Sequence, residues 1–407
     1  MFHAEAGAAV QVIFLLSYLV FAIGRLPGTR IDRPAMAVIG AALMFAFGAL
    51  TPQQAIQSID FATLVLLFSM MLIVASLHLS GFFDWITTLA ASRLDAHHLL
   101  PAVVFSSGIL SAFLVNDVVC LVMAPLVMRV ARKMGRNPAP FLIALATASN
   151  IGSVASITGN PQNILIGSLS GIGYREFLSR LGPVAIAGLF LDWIILGWLL
   201  RKQIAAVLPA VRVDEEPRPS PRRLAIPVVM TVGVLAGFLL GYPPALVAAV
   251  GGALLLIRRS EEPKKIYEDV DWSLLLFFVG LFVIAGAAGE AGITGRLMSA
   301  AAGFNLNRPV VLAGVATLLS NVVSNVPAVI LLKGIVPHFP NPHEGWLLLA
   351  MSSTLAGNLT ITGSVANIIV VEKAREDAPI RFMDYARAGV PVTLATLAAG
   401  LLWLRYV

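Results

Sequence analysis

The sequence predicts an all-α polytopic membrane protein built as an inverted structural repeat, with about ten transmembrane helices, two re-entrant hairpins and two broken helices. Three observations predict it. Hydrophobic residues make up 58% of the 407 residues and charged residues 12%, about half the charge of a soluble domain, with a mean hydropathy of +0.87. Two polar, glycine-bearing phrases, "SITGNPQNILIG" at 156–167 and "TITGSVANIIVV" at 360–371, interrupt apolar stretches. The segments around these phrases recur in the same order in both halves.

A bilayer crossing needs about 20 apolar residues. Residues 7–24 form the first such run; they lack the basic lead and small-residue cleavage site of a signal peptide and are expected to be a retained span. Further runs include 61–79, 182–200, 272–289 and 389–404. The one cysteine, Cys120, excludes an internal disulfide and a cysteine-cluster metal site. A net charge of +6 suits a membrane protein that loads Lys and Arg into cytoplasmic loops; no nucleic-acid partner is expected.

The placement of those cations sets the topology. Clusters follow the first span (Arg25, Arg30, Arg33) and the run at 99–128 (Arg129, Arg132, Lys133, Arg136), another lies within the long Pro-rich linker at 201–223, and others lie at 258–265 and 373–387. If the segments 99–128 and 309–336 enter the membrane and return to the same side, these clusters and Arg93 become cytoplasmic together, 22 of the 28 Lys and Arg. Each arm, about 10–16 residues, is too short to span. The tips read "LVNDVV" (114–119) and "SNVVSNVPA" (320–328), and irregular polar backbone survives at membrane depth only when packed in protein or lining a wet cavity. The first hairpin is thus expected to open to the cytoplasm and the second to the periplasm, with both termini periplasmic in a bacterial-type inner (plasma) membrane.

The halves align. The stretch from Asp60 matches that from Asp271 at an offset of 211, hairpin-tip Asn116 matches Asn325 at 209, and Thr158-Gly159 with Asn163 matches Thr362-Gly363 with Asn367 at 204. This divides the chain into a first repeat at 1–205 with hairpin 99–128, a cytoplasmic linker at 206–223, and a second repeat at 224–407 with hairpin 309–336. An odd number of spans before the linker inverts the second repeat. Inverted repeats with discontinuous helices place substrate near the midplane, where freed carbonyls suit cations and helix N-termini suit anions.

A polar hairpin tip followed by a span broken at Thr-Gly-x-Pro-x-Asn, repeated in inverted form, resembles the ion transporter superfamily. Its members include dicarboxylate and citrate carriers, arsenite efflux proteins of the ArsB type and NhaD-type sodium/proton antiporters. The resemblance covers nearly the whole chain. It implies a scaffold and a mobile transport domain, elevator-like alternating access and a homodimer. It also implies one ion site at Asn116 and the loop Thr158, Gly159, Asn160 and Asn163, and a second at Ser324, Asn325, Thr362, Gly363 and Asn367. Dicarboxylate carriers share a Ser-Asn-Thr triplet at both tips; here the tips are Val115-Asn116-Asp117 and Ser324-Asn325-Val326. The Asn-Asp pair is closer to the arsenite-efflux branch.

Asp117 is the strongest single candidate, because an acid at mid-membrane costs at least about 2.5–3.5 kcal/mol on insertion scales and so has a task. It would exchange protons or take a transported sodium ion with carbonyl oxygens; capping the hairpin's second arm is a compatible role. Asp192 and Lys333 are weaker candidates, expected near the interface and snorkelling, respectively. The scattered histidines His97, His98, His338 and His343 make no metal site.

The leading function is a secondary active transporter, H+-coupled, moving a small anion or an arsenite- or antimonite-like oxyacid. A sodium/proton antiporter and a Na+-coupled dicarboxylate or citrate symporter stand beside it. Neither hairpin tip carries Arg or Lys, which argues against a multiply charged substrate. The chain has no G-x-x-x-x-G-K-[ST] motif and no nucleophile–base constellation, so it is not expected to be an enzyme or to need a cofactor. A partner ATPase on the cytoplasmic loops stays open.

Overall fold

A computed structural model describes residues 2–86, 95–207, 221–257 and 262–406, and every extended element among them is a helix. Arg93, Arg258, Arg259 and most of the linker lie outside the described residues. The first half of the chain holds α1 (Phe2–Ile23), α2 (Arg33–Ala46), α3 (Phe61–Leu79), α4 (Leu99–Phe113), α5 (Asn116–Lys133), α6 (Pro138–Ser153), α7 (Pro161–Ser170) and α8 (Tyr174–Leu199). After the linker come α9 (Pro221–Leu239), α10 (Pro244–Leu256), α11 (Trp272–Glu290), α12 (Pro309–Val323), α13 (Asn325–Leu332), α14 (Pro342–Leu355), α15 (Val365–Ala374) and α16 (Phe382–Tyr406).

The order is the same in both halves, down to the caps. Asp60 accepts from the Thr63 amide at 2.9 Å to start α3, and Asp271 accepts from the Leu274 amide at 2.9 Å to start α11. The expected hairpins are α4–α5 and α12–α13, each turning within one or two residues. The expected breaks are also present: a 3₁₀ turn at Ile157–Gly159 separates α6 from α7, and two, at Ala356–Asn358 and Ile361–Gly363, separate α14 from α15.

By length and composition, α3, α8, α11 and α16 can each cross a membrane, while α1, α2, α4, α9, α10 and α12 contribute shorter apolar helices. The apolar runs at 182–200 and 389–404 begin later than their helices do. Pro183 and Pro391 sit inside α8 and α16, so charged first turns precede the apolar stretch.

Helices pack in cross-wise pairs: α2 lies on α11 and α3 on α10, while α4 lies on α6, α12 on α14, and α8 on α16. The second arm of each hairpin packs on the broken helix of the other half, α5 on α15 and α13 on α7. Asp192, expected near the interface, is fully buried, because the face of α8 that carries it turns into the protein against α6.

The α4–α6 crossing is the tightest. A Cβ on Gly152 would stand 2.0 Å from the Gly108 carbonyl oxygen, so the two backbones approach as closely as small-residue membrane interfaces allow. We expect Gly152→Ala to cost about 1–3 kcal/mol by overpacking and to lower the melting temperature in detergent. Gly314→Ala, whose new Cβ meets nothing within 4 Å, should leave it unchanged or slightly raised.

Candidate functional site

Each break is stitched by its own asparagine. The Asn163 amide donates to the Ser153 and Ser156 carbonyls at 3.0 and 3.1 Å, and the Asn367 amide donates to the Gly357 and Thr360 carbonyls at 2.6 and 3.0 Å. These are carbonyls that interruption of the helix releases, and at membrane depth each needs a donor. Glycine makes room for the fold-back. A Cβ on Gly159 would lie 2.2 Å from the Ser153 oxygen, and one on Gly363 would lie 2.6 Å from Asn321 Oδ1. Thr158 is fully buried, in hydrogen-bond contact with the Tyr174 hydroxyl at 3.0 Å and donating toward the Phe113 carbonyl at 3.3 Å. It fastens the break to the hairpin tip.

The two breaks also clasp each other. Asn150, in the last turn of α6, donates to Asn358 and Asn367 oxygens at 2.9 Å each. Its own oxygen accepts from Asn116 and Ser364, both at 3.0 Å. At the position equivalent to Asn150, Thr354 accepts from Asn160 at 3.1 Å and donates to Asn163 at 3.2 Å. With its amide oriented to satisfy both ends, Asn325 donates to the Ser353 and Gly363 carbonyls at 3.2 and 3.3 Å and accepts from Gln162 at 3.3 Å.

In front of this network lies a cavity of about 220 Å³. Its inner wall is formed by the starts of four helices: Asn116 and Asp117 of α5, Pro161 and Gln162 of α7, Asn325 and Val326 of α13, and Ser364 and Val365 at α15. Its outer wall comes from Arg33 and Pro34 at the start of α2, and Asp271, Ser273 and Phe277 around the start of α11. The N-termini of α5, α13 and α15 have no side-chain cap; a backbone hydrogen bond from Ala366 on α15 reaches the Asp117 carboxyl. Ser324, at the second tip, also lines the cavity with φ +79° and ψ 159°, a region that only glycine occupies without strain and that is characteristic of ligand sites. Asn116 Oδ1 is buried without a partner among the described residues.

Of the residues singled out by sequence, Asn116, Asp117, Ser324 and Asn325 come together on the cavity. Thr158, Gly159, Asn160, Asn163, Gly363 and Asn367 stand behind it and hold the breaks, while Thr362 is exposed and contacts Thr360 at 3.2 Å. Sequence reading missed Arg33, Asp271 and Ser364 on the cavity, and Asn150 and Thr354 behind it; Gln162, also on the cavity, lies within the expected loop at 158–163 without having been singled out. Arg33 also changes the charge balance: no cation sits on the tips, but one faces them from α2, anchored by its Nε donating to the Phe21 carbonyl at 2.8 Å. Asp271 was visible as the repeat partner of Asp60.

The sequence profile of the citrate transporter family, CitMHS, matches residues 18–356. The chain belongs to that family. Among its relatives, an uncharacterised transporter of Mycobacterium tuberculosis is 31% identical, with 97% of each chain covered. The silicon efflux transporter LSI3 of Oryza sativa subsp. japonica is 29% identical with 96% of each covered, and a putative transporter arsB of Dictyostelium discoideum is 25% identical. The fold is shared with the YdaH transporter of Alcanivorax borkumensis (TM-score 0.57, 15% identity, 99% of this chain and 97% of that one) and with MtrF of Neisseria gonorrhoeae (TM-score 0.58, 14% identity, 98% and 94%). This citrate transporter family member is a multi-pass membrane transporter of the citrate and ArsB-like type.

Asn163→Ala and Asn367→Ala each strip donors from two carbonyls at a break, an expected loss of about 1–3 kcal/mol per orphaned group. Both should lower the melting temperature of the purified transporter by similar amounts, measured by fluorescence in detergent. A silent variant would show that its break is held by other contacts.

Proposed function

We propose that the cavity is the substrate site of a proton-coupled secondary active transporter for a small oxyacid or anion. The observation that carries this is the convergence of four helix N-termini, three without side-chain caps, on one cavity beside Arg33 and Asp117. Helix N-termini and a guanidinium present donors to oxygen. Asp117 and Asp271 present acceptors, and they repel a polyanion. A neutral hydroxide such as arsenous or silicic acid meets both: its oxygens accept from backbone amides and Arg33 while its hydroxyls donate to Asp117 and the unpartnered Asn116 oxygen. The silicon and arsB names among the relatives agree with this chemistry.

In this reading the two hairpins and two broken helices form a transport unit that moves against the α1–α3 and α9–α11 scaffold, the two halves being inverted repeats, and the protein works as a homodimer. The outer wall of the cavity is built from the starts of α2 and α11, and the segments that precede them carry Arg25, Arg30, Lys264 and Lys265. Under the positive-inside rule that wall would lie toward the cytoplasmic side of the plasma membrane. Each coupling step would pair substrate movement with protonation of Asp117.

A second reading has its own support: Asp117 and Asp271 face one cavity, an arrangement that suits a cation, as a sodium/proton antiporter requires. The sodium-coupled citrate or dicarboxylate symporter is favoured by Arg33 and the N-termini and opposed by the same two acids.

The test is flux in proteoliposomes with an internal pH dye, adding arsenite, monosilicic acid, citrate and sodium separately. We expect proton movement on adding an oxyacid, and its loss in Asp117→Asn. Arg33→Gln should weaken apparent substrate affinity by about 10–100-fold, the worth of a hydrogen bond to a charged group. Flux with sodium alone would make the protein an antiporter. Citrate flux that survives Asp117→Asn would place it with the symporters.

A further inference from the structure

Asp192 has no role in the cavity, yet it is the one fully buried acid among the described residues. It projects from α8, two turns before the end that leads into Arg201 and Lys202. Its Oδ2 lies 3.1 Å from the Thr147 hydroxyl, and its Oδ1 has no partner. The described residues offer it no ion pair. Tyr385 of α16 faces it with a hydroxyl that is likewise buried and unpartnered, and Cys120 of α5 lies beside Tyr385. No other titratable group approaches from the packed helices. α4 and α6 carry none, Arg175 and Glu176 of α8, Arg223 of α9, and His343 and Glu344 of α14 occupy first turns, Arg180 lies in the second turn of α8, Arg405 in the last of α16, and Asp384 pairs with Arg387 at 4.0 Å on the exposed side of α16.

The burial of this acid bears on its protonation. The Thr147 hydroxyl has one hydrogen, and the Ile143 carbonyl, an acceptor only, lies 3.0 Å away in the ordinary i−4 position. The hydroxyl is placed to donate either to that carbonyl or to Asp192 Oδ2, so the acid's Oδ1 is left with no donor in either case. A neutral carboxylic acid removes the cost of a buried carboxylate without a counter-charge.

A continuous polar chain leads from this acid to the cavity. The Thr147 carbonyl accepts from Asn358 at 3.2 Å, Asn358 accepts from Asn150 at 2.9 Å, and Asn150 accepts from Asn116 and Ser364 on the cavity wall at 3.0 Å. Every amide in it has one fixed orientation. Such a chain does not conduct protons; it ties the position of α6 at Thr147 to the donors that meet substrate.

We propose that Asp192 is a second proton-binding site, distinct from Asp117, whose proton is released and regained once per transport cycle and so couples the pH gradient to the cavity. This rests on the proton-coupled reading above. Infrared difference spectra of the purified protein, wild type minus Asp192→Asn, should show the carbonyl stretch of a neutral carboxylic acid at neutral pH. Thr147→Val, which removes the acid's one partner, should shift that band without abolishing it, and serves if Asp192→Asn does not fold. Absence of the band overturns the proposal. In proteoliposomes, Asp192→Asn should retain exchange of citrate, arsenite or monosilicic acid at equilibrium and lose accumulation driven by a pH gradient. Accumulation that survives, or loss of exchange as well in a variant of unchanged melting temperature, overturns the second site while leaving the transport reading intact. A wild type that carries none of the three probes overturns both.

Discussion

A backbone interrupted inside a membrane must find new partners for the groups it releases. Water is absent there, and each unpaired amide or carbonyl costs several kcal/mol. Everything distinctive in this protein follows from meeting that demand twice. Asn163 and Asn367 each turn an amide back onto two carbonyls of their own break. Once those carbonyls are satisfied, the helices that restart after the breaks can turn their N-termini to the cavity, α7 capped by Asn160 and α15 without a side-chain cap. The breaks are therefore the framework that lets backbone amides face a substrate, and the cost of keeping them open is met behind the cavity, by side chains that need not touch a substrate.

The cross-wise clasp adds a second constraint. Asn150 belongs to the first broken helix but makes its bonds to the second, through Asn358 and Asn367; Thr354 belongs to the second and serves Asn160 and Asn163 of the first. The hairpins obey the same exchange, α5 resting on α15 and α13 on α7. The asparagine that stitches each break takes a hydrogen bond on its own oxygen from the other half. A polar network satisfied in this reciprocal manner is stiff, since moving one break leaves donors and acceptors unpaired in the other. Such stiffness suits a unit that moves as a body against the α2 and α11 wall of the cavity.

The fold was largely legible in the sequence because its signals are local. Gly159, Pro161 and their counterparts announce breaks, Asn116 and Asn325 announce tips, and Asp60 and Asp271 announce the starts of equivalent helices. The site was less so. Thr158, Asn163 and Asn367 were recognisable as special, but a residue that supports a break and one that lines a cavity carry the same polar side chain in the same apolar surroundings. Arg33 lay far from either motif, in a basic cluster whose placement the positive-inside rule already explained. Only the packing of α2 across from the tips separates it from Arg25 and Arg30. Asn150 and Thr354 are equivalent positions with different side chains, so a search for repeated residues passes over them.

Charge at the cavity is divided between the two walls. The inner wall carries the backbone amides and Asp117; the outer wall carries Arg33 and Asp271. Each wall holds both a donor set and an acid, so neither is strongly attractive to a bare ion of one sign, and closing the walls around a bare cation or a polyanion would leave one partner set unpaired in a poorly hydrated space. A hydroxylated neutral solute leaves neither set unpaired, because every oxygen it presents both accepts and donates. Both tips lack the threonine of the carboxylate carriers' triplet, while Ser324 keeps the serine of the second. With Asp117 in place of one threonine, the first tip accepts a hydrogen where the carriers donate one, and a substrate has to bring its own.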